Sequence, residues 1–220
     1  MKLKILFLLL ASLFITELKA QQYPTLWNEI LDFKKHESET PIVKNEILFV
    51  GSSSFKFWKD VDSYFPDHTI INRGFGGSTL IDVTRYFYDI IYPFEPRQII
   101  IYCGENDFAF DENLSVNDFV RRFTTLFGMI RENFPNTTIN YLSIKPSPSR
   151  TEILEKSKIA NEKIASYLEN KNNAEYIDIF NPMMDKKGQI KSDIFLEDQL
   201  HMNPEGYKIW QKVIAPYLKD

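Results

Sequence analysis

Cysteine is almost absent from this sequence: Cys103 is the only one. A chain with one cysteine forms no internal disulfide, so its fold must stand on a buried core. Cys103 sits in an apolar strand and reads as a buried, inert thiol. Basic residues are also in deficit, with 26 Lys and Arg against 30 Asp and Glu and a net charge of −4. That balance argues against a nucleic acid partner, which calls for clustered cations. Histidine is scarce as well, at His36, His68 and His201. No second histidine or cysteine stands at ligand spacing from His201, so the sequence implies no metal and no cofactor.

Past residue 20 no apolar run is long enough to cross a bilayer. Residues 1–20 are different. Lys2 and Lys4 precede an apolar run from Ile5 to Ile15, and Ala20 closes the segment before two glutamines. This is the pattern of a secretory signal peptide, its apolar run shorter than the roughly 20 residues of a membrane span, with an uncleaved N-terminal anchor as the alternative. No cysteine follows Ala20, which excludes lipid attachment there. The expected organisation is therefore a signal peptide at 1–20 and one domain at 21–220, secreted or periplasmic, with no stable membrane insertion after cleavage. Cleavage would remove three lysines and one glutamate and change the net charge from −4 to −6.

Five short runs rich in Ile, Val, Leu, Phe and Tyr follow: 47–50, 69–72, 98–102, 138–143 and 176–179. They are nearly continuous in apolar residues, as strands covered on both faces are. Helical patterns lie between them. Ser115 is placed to cap one, and Asn203 with Pro204 to open the last. Alternation of this kind predicts an α/β fold, a three-layer α/β/α sandwich around a five-stranded parallel sheet. Such sheets bind ligands at the carboxyl ends of their strands. Three segments stand there: Gly51-Ser52-Ser53-Ser54, then "NRGFGGST" from Asn72 to Thr79, then "CGEND" from Cys103 to Asp107.

A serine nucleophile needs a base, usually a histidine oriented by a carboxylate. His36 precedes the sheet and His68 stands at the wrong end of the second strand. His201 lies ahead of the final helix with Asp198 three residues upstream. That spacing brings a carboxylate to the imidazole Nδ1 in a turn. It equally suits Asp198 capping local backbone beside a surface histidine. The glycines of "GFGGS" offer backbone donors for an oxyanion, and Asn106 offers a neutral amide; turn chemistry accounts for both as well.

Taken in order, Gly51-Ser52-Ser53, the Asn-x-Gly-x-x-Gly stretch ending at Gly77, Gly104-Glu105-Asn106-Asp107, and Asp198-x-x-His201 resemble the four blocks of the SGNH (GDSL) hydrolases, in the branch similar to platelet-activating factor acetylhydrolase catalytic subunits. The resemblance spans Ile47 to about Tyr207. It implies a flavodoxin-like topology, with Ser53 as nucleophile, His201 as base and Asp198 as its partner. It also implies an oxyanion hole from the amides of Ser53 and Gly77 and the side chain of Asn106. Ser52 stands where the family has aspartate, and Ser54 becomes a candidate cap for the helix that follows. Aromatic residues crowd the same edge, and Phe75, Phe108 and Arg150 are the expected substrate contacts. A secreted single-domain member most resembles carbohydrate O-acetylesterases, acting on a small-molecule or glycan ester. A lysophospholipase or general short-chain acylesterase is the alternative within the class, and a non-catalytic glycan-binding relative the alternative outside it.

Overall fold

The computed structural model describes residues 26–219, so the expected signal peptide lies outside the described residues. The chain opens with helix α1 (Trp27–Glu39). Strand β1 (Ile47–Gly51) follows, then the short helices α2 (Ser53–Lys56) and α3 (Val61–Tyr64), then β2 (Ile70–Gly74). Helices α4 (Leu80–Arg85) and α5 (Phe87–Ile90) lead to β3 (Gln98–Tyr102). Helices α6 (Glu105–Phe110) and α7 (Val116–Asn133) lead to β4 (Thr138–Leu142), and α8 (Leu154–Leu168) to β5 (Ala174–Ile177). Helix α9 (Pro204–Ile214) closes the fold. No described helix is long and apolar enough to cross a membrane.

The sheet has the order β2-β1-β3-β4-β5 and every pairing is parallel. The apolar runs are continuous because both faces are covered. Leu48, Val50, Ile99 and Ile101 point into a core shared with α4, α5, α7 and α8. Ile47, Phe49, Ile100 and Tyr102 point into a second core closed by α9, where Tyr207, Trp210 and Ile214 are buried. Alternate residues of one strand thus serve opposite layers.

Local signals hold where they are chemical. Ser115 caps α7 by accepting from the Asp118 N–H at 3.1 Å. The Asn203 side-chain oxygen Oδ1 accepts from the N–H groups of Glu205 and Gly206 at the start of α9. The helical pattern expected after the second strand is broken in two at Tyr86, whose ψ of 13° lies outside the helical range.

From β1 the chain moves outward to β2 on one side, and then back across to β3 on the other. The carboxyl ends of β1 and β3 therefore flank the point where the winding reverses, the place where such sheets open a crevice. Gly51 pairs with both Gly74 and Tyr102, so the three strand ends are level.

Candidate active site

Gly51 ends β1 with φ of +142°. A Cβ there would sit 1.8 Å from the Tyr102 carbonyl oxygen, so the turn admits only glycine. The Ser52 N–H donates to that same oxygen at 2.9 Å. Ser52 occupies the N-cap position of α2, is 4 % exposed, and makes no side-chain capping bond. Ser54 is not the cap expected from sequence. It lies within the helix, buried, and its carbonyl accepts from the Tyr207 hydroxyl at 2.9 Å. Ser53 is the first helical residue, where backbone amides have no intrahelical acceptor.

From the far end of the chain, His201 brings its Nε2 to 3.0 Å from Ser53 Oγ. Its Nδ1 lies 2.5 Å from Asp198 Oδ2. A carboxylate only accepts, so the proton sits on Nδ1 and Nε2 is left to accept from the serine hydroxyl. Asp198 answers both readings of its spacing at once. Its other oxygen, Oδ1, accepts from the N–H groups of Leu200 and His201 at 3.0 and 2.9 Å. Burial alone would push this carboxyl up. Hydrogen bonds from the His201 ring and from those two amides outweigh it and hold the pKa down at about 2. The Phe57 ring meets the imidazole edge to face, with centroids 4.7 Å apart.

On the opposite side of Ser53, the Phe75 N–H donates to the Gly51 carbonyl at 2.9 Å and the Gly76 N–H to Glu29 Oε2 at 3.0 Å. Asn72 ties this loop to the serine helix: its amide donates to the Phe55 carbonyl at 2.7 Å and its oxygen accepts from the Gly74 N–H at 2.9 Å. Gly77 then takes φ of +72°, and a Cβ there would meet nothing within 4 Å. Asn106 is 5 % exposed and donates from Nδ2 to the Ser78 carbonyl at 3.0 Å. Its neighbour Asp107 accepts from the Leu80 N–H at 3.0 Å and from Arg122 at 2.8 Å, which fixes the start of α4. Burial pushes the Asp107 carboxyl up to about 6 against the pull of Arg122 and the Leu80 amide.

Residues 50–209 match the family described as GDSL-like Lipase/Acylhydrolase. The chain belongs to that family. It is an enzyme, a serine hydrolase of carboxylic esters. No curated protein matches it in sequence. Among solved structures, one from Streptococcus pneumonia named for platelet activating factor is 23 % identical, covers 98 % of this chain and 99 % of its own, and superposes with a TM-score of 0.76. A GDSL-like lipase from Bacteroides thetaiotaomicron is 20 % identical over 86 % of this chain and 97 % of its own, with a TM-score of 0.71. A catalytic mutant of Axe2, an acetylxylan esterase from Geobacillus stearothermophilus, is 13 % identical over 80 % and 95 %, with a TM-score of 0.62. These likenesses are of fold.

In this GDSL hydrolase, Phe75 and Phe108 do not line the cleft. The expectation that they touch substrate is corrected, because both are core residues at 0 and 1 % exposure. Phe75 packs against Tyr86 and Phe108 against Phe119, inside the layer below the loops. Phe57, against the His201 ring, and Phe110, beside Arg150, do reach the surface, as does Leu196 next to the histidine loop. Arg150 is held within the protein: its Nη1 donates to Asn106 Oδ1 at 2.9 Å and lies 3.9 Å from Glu105 Oε1.

One polar group escaped the sequence reading. Lys145 Nζ donates to Glu105 Oε2 at 2.7 Å and to the Ser147 hydroxyl, and all three residues are at most 5 % exposed. Burial draws both ends of this pair toward neutrality. For Glu105 the Lys145 and Arg150 cations prevail and hold its pKa down, whereas burial keeps Lys145 below its ordinary value. The contact of Nζ with Oε2 at 2.7 Å and its second acceptor on Ser147 satisfy the lysine within the protein. Nothing in the sequence around Lys145 marks it, because a buried lysine has no local signature.

Proposed function

We propose that this protein is a secreted serine esterase that removes short acyl groups, acetyl above all, from carbohydrate, through a Ser53-His201-Asp198 triad and an acyl-enzyme. The observation that carries the reading is the row of hydrogen bonds from Ser53 Oγ to His201 Nε2 and from His201 Nδ1 to Asp198 Oδ2, at 3.0 and 2.5 Å. In this mechanism Ser53 Oγ attacks the ester carbonyl carbon while His201 Nε2 takes the hydroxyl proton. Asp198 holds the imidazole in the tautomer with hydrogen on Nδ1 and stabilises the imidazolium. The carbonyl electrons move onto oxygen, where the amides of Ser53 and Gly77 and the Asn106 Nδ2 donate. As the C–O bond to the leaving alcohol breaks, His201 gives that oxygen the proton. Water then attacks the acyl-enzyme by the same route, His201 taking its proton and returning it to Ser53.

For the substrate, the open surroundings of Gly77 and the exposed rings of Phe57 and Phe110 support an aromatic-rimmed, accessible cleft suited to a sugar face. The Axe2 neighbour acts on acetylated xylan and shares the fold, which agrees with this choice. The secretory reading rests on residues 1–20. The test is acetate release from a panel of O-acetylated oligosaccharides, set beside p-nitrophenyl esters of rising chain length. Rates highest for acetate, with turnover of acetylated glycans, are expected. Rates climbing beyond butyrate, with no acetate released from any glycan, would favour the lysophospholipase alternative.

A further inference from the structure

The amide of Asn106 is held at both ends by groups that leave it one orientation. Arg150 can only donate, so the Asn106 atom facing it is the oxygen, at 2.9 Å. The Ser78 carbonyl can only accept, so the atom facing it is the nitrogen, at 3.0 Å. One hydrogen of Nδ2 is thereby used and the other remains for a ligand. Asn106 reversed end for end would set carbonyl against carbonyl and N–H against guanidinium, and would point an acceptor where a donor is needed.

Arg150 meets Asn106 at hydrogen-bond distance and stands farther from Glu105. Glu105 is the competing acceptor. Its Oε2 is taken by Lys145 at 2.7 Å and by the Tyr102 hydroxyl at 3.0 Å. Only Oε1 faces the guanidinium, at 3.9 Å, with no hydrogen-bond partner of its own. The Phe110 ring lies over the guanidinium, 6.0 Å from its carbon. The residue before it grips the other flank of the site: Ser149 donates from both its N–H and its hydroxyl to the Gln199 carbonyl, at 3.1 and 3.0 Å, between Asp198 and His201.

We propose that Arg150 is a positioning residue for ester hydrolysis: it fixes the Asn106 side chain with Nδ2 toward the oxyanion, while Ser149 fastens the same segment to the histidine loop. This rests on the reading of Asn106 as an oxyanion donor. Arg150 acts through Asn106 and touches no reacting atom.

The test is a double-mutant cycle with p-nitrophenyl acetate, reading kcat and KM separately. Asn106→Ala should lower kcat on the order of 100- to 1000-fold. Arg150→Met should lower kcat about 10- to 100-fold and change KM less than about 3-fold, since the interaction matters only once the oxyanion forms. Arg150→Lys, which keeps the charge and a donor, should recover part of that loss. The double variant should be no slower than Asn106→Ala alone. Losses that multiply, an effect confined to KM, or an undiminished Arg150→Met would each overturn the positioning role. Asn106→Ala turning over at the wild-type rate would instead overturn the oxyanion reading beneath it. If Arg150→Met does not fold, Arg150→Lys combined with Asn106→Ala makes the same comparison.

Discussion

Ser53 and His201 are 148 positions apart in the chain, and their Oγ and Nε2 atoms are 3.0 Å apart. Two devices produce that meeting. A glycine-only turn lifts Ser53 off the end of β1, and a loop anchored by Asp198 presents the imidazole from the other direction. The Phe57 ring then limits how far the imidazole can swing.

Asp198 is predicted to set the histidine's tautomer. Asp198→Asn should lower kcat on the order of 100- to 10,000-fold, since an amide nitrogen turned toward Nδ1 would favour the wrong tautomer. With its carboxyl at about 2, Asp198 stays ionised at every pH above 4. Protonation of Asp198 therefore contributes no limb to a wild-type profile of kcat/KM measured from pH 4 to 9. A variant within 3-fold of wild type would remove Asp198 from the mechanism.

Gly51 and Gly77 are predicted to fail in different ways. Gly51→Ala drives a methyl into the Tyr102 carbonyl and should yield no folded protein. At Gly77 the methyl meets nothing, so only the left-handed backbone is strained, by about 1 kcal/mol. Gly77→Ala should fold with its thermal midpoint lowered by about 2–4 °C. If the Gly77 amide donates to the oxyanion, kcat should still drop by 10-fold or more. Thermal melts and kinetics on the two variants separate these outcomes, and a fully active Gly77→Ala would exclude that amide from the site.

Asp107 makes stability depend on pH. Its folded-state pKa, about 6, lies above the unfolded value of about 3.9. The native state therefore binds more protons between these values, and Asp107 favours folding as pH falls from 7 to 4. The contribution is on the order of 1–3 kcal/mol. Asp198 opposes this only below about pH 4, since its folded value is depressed. Denaturant melts at pH 7, 5.5 and 4.5 should show wild type gaining relative to Asp107→Asn as pH drops. A gap that stays constant or moves the other way would contradict the assignment.

Much of this was legible in the chain because its signals are local. Continuous apolar runs revealed a sheet covered on both faces, Ser115 and Asn203 revealed helix starts, and four short blocks revealed the family. Register did the rest: once Gly51, Gly74 and Tyr102 are level, the segments after them must converge. What could not be read depends on layers. Phe57 and Phe75 look alike in sequence, yet one helical turn exposes the first while the second turns inward onto Tyr86. The Glu105-Lys145 pair joins groups 40 positions apart, and nothing near either announces the other.

We propose above all that His201 makes Ser53 nucleophilic. A fluorophosphonate probe followed by peptide mass spectrometry tests it most directly, because such reagents trap a serine activated by a neighbouring base. One modification per chain is expected, on Ser53, absent in Ser53→Ala and reduced at least 100-fold in rate in His201→Ala. Labelling of another serine, or of Ser53 at an unchanged rate without His201, would contradict it.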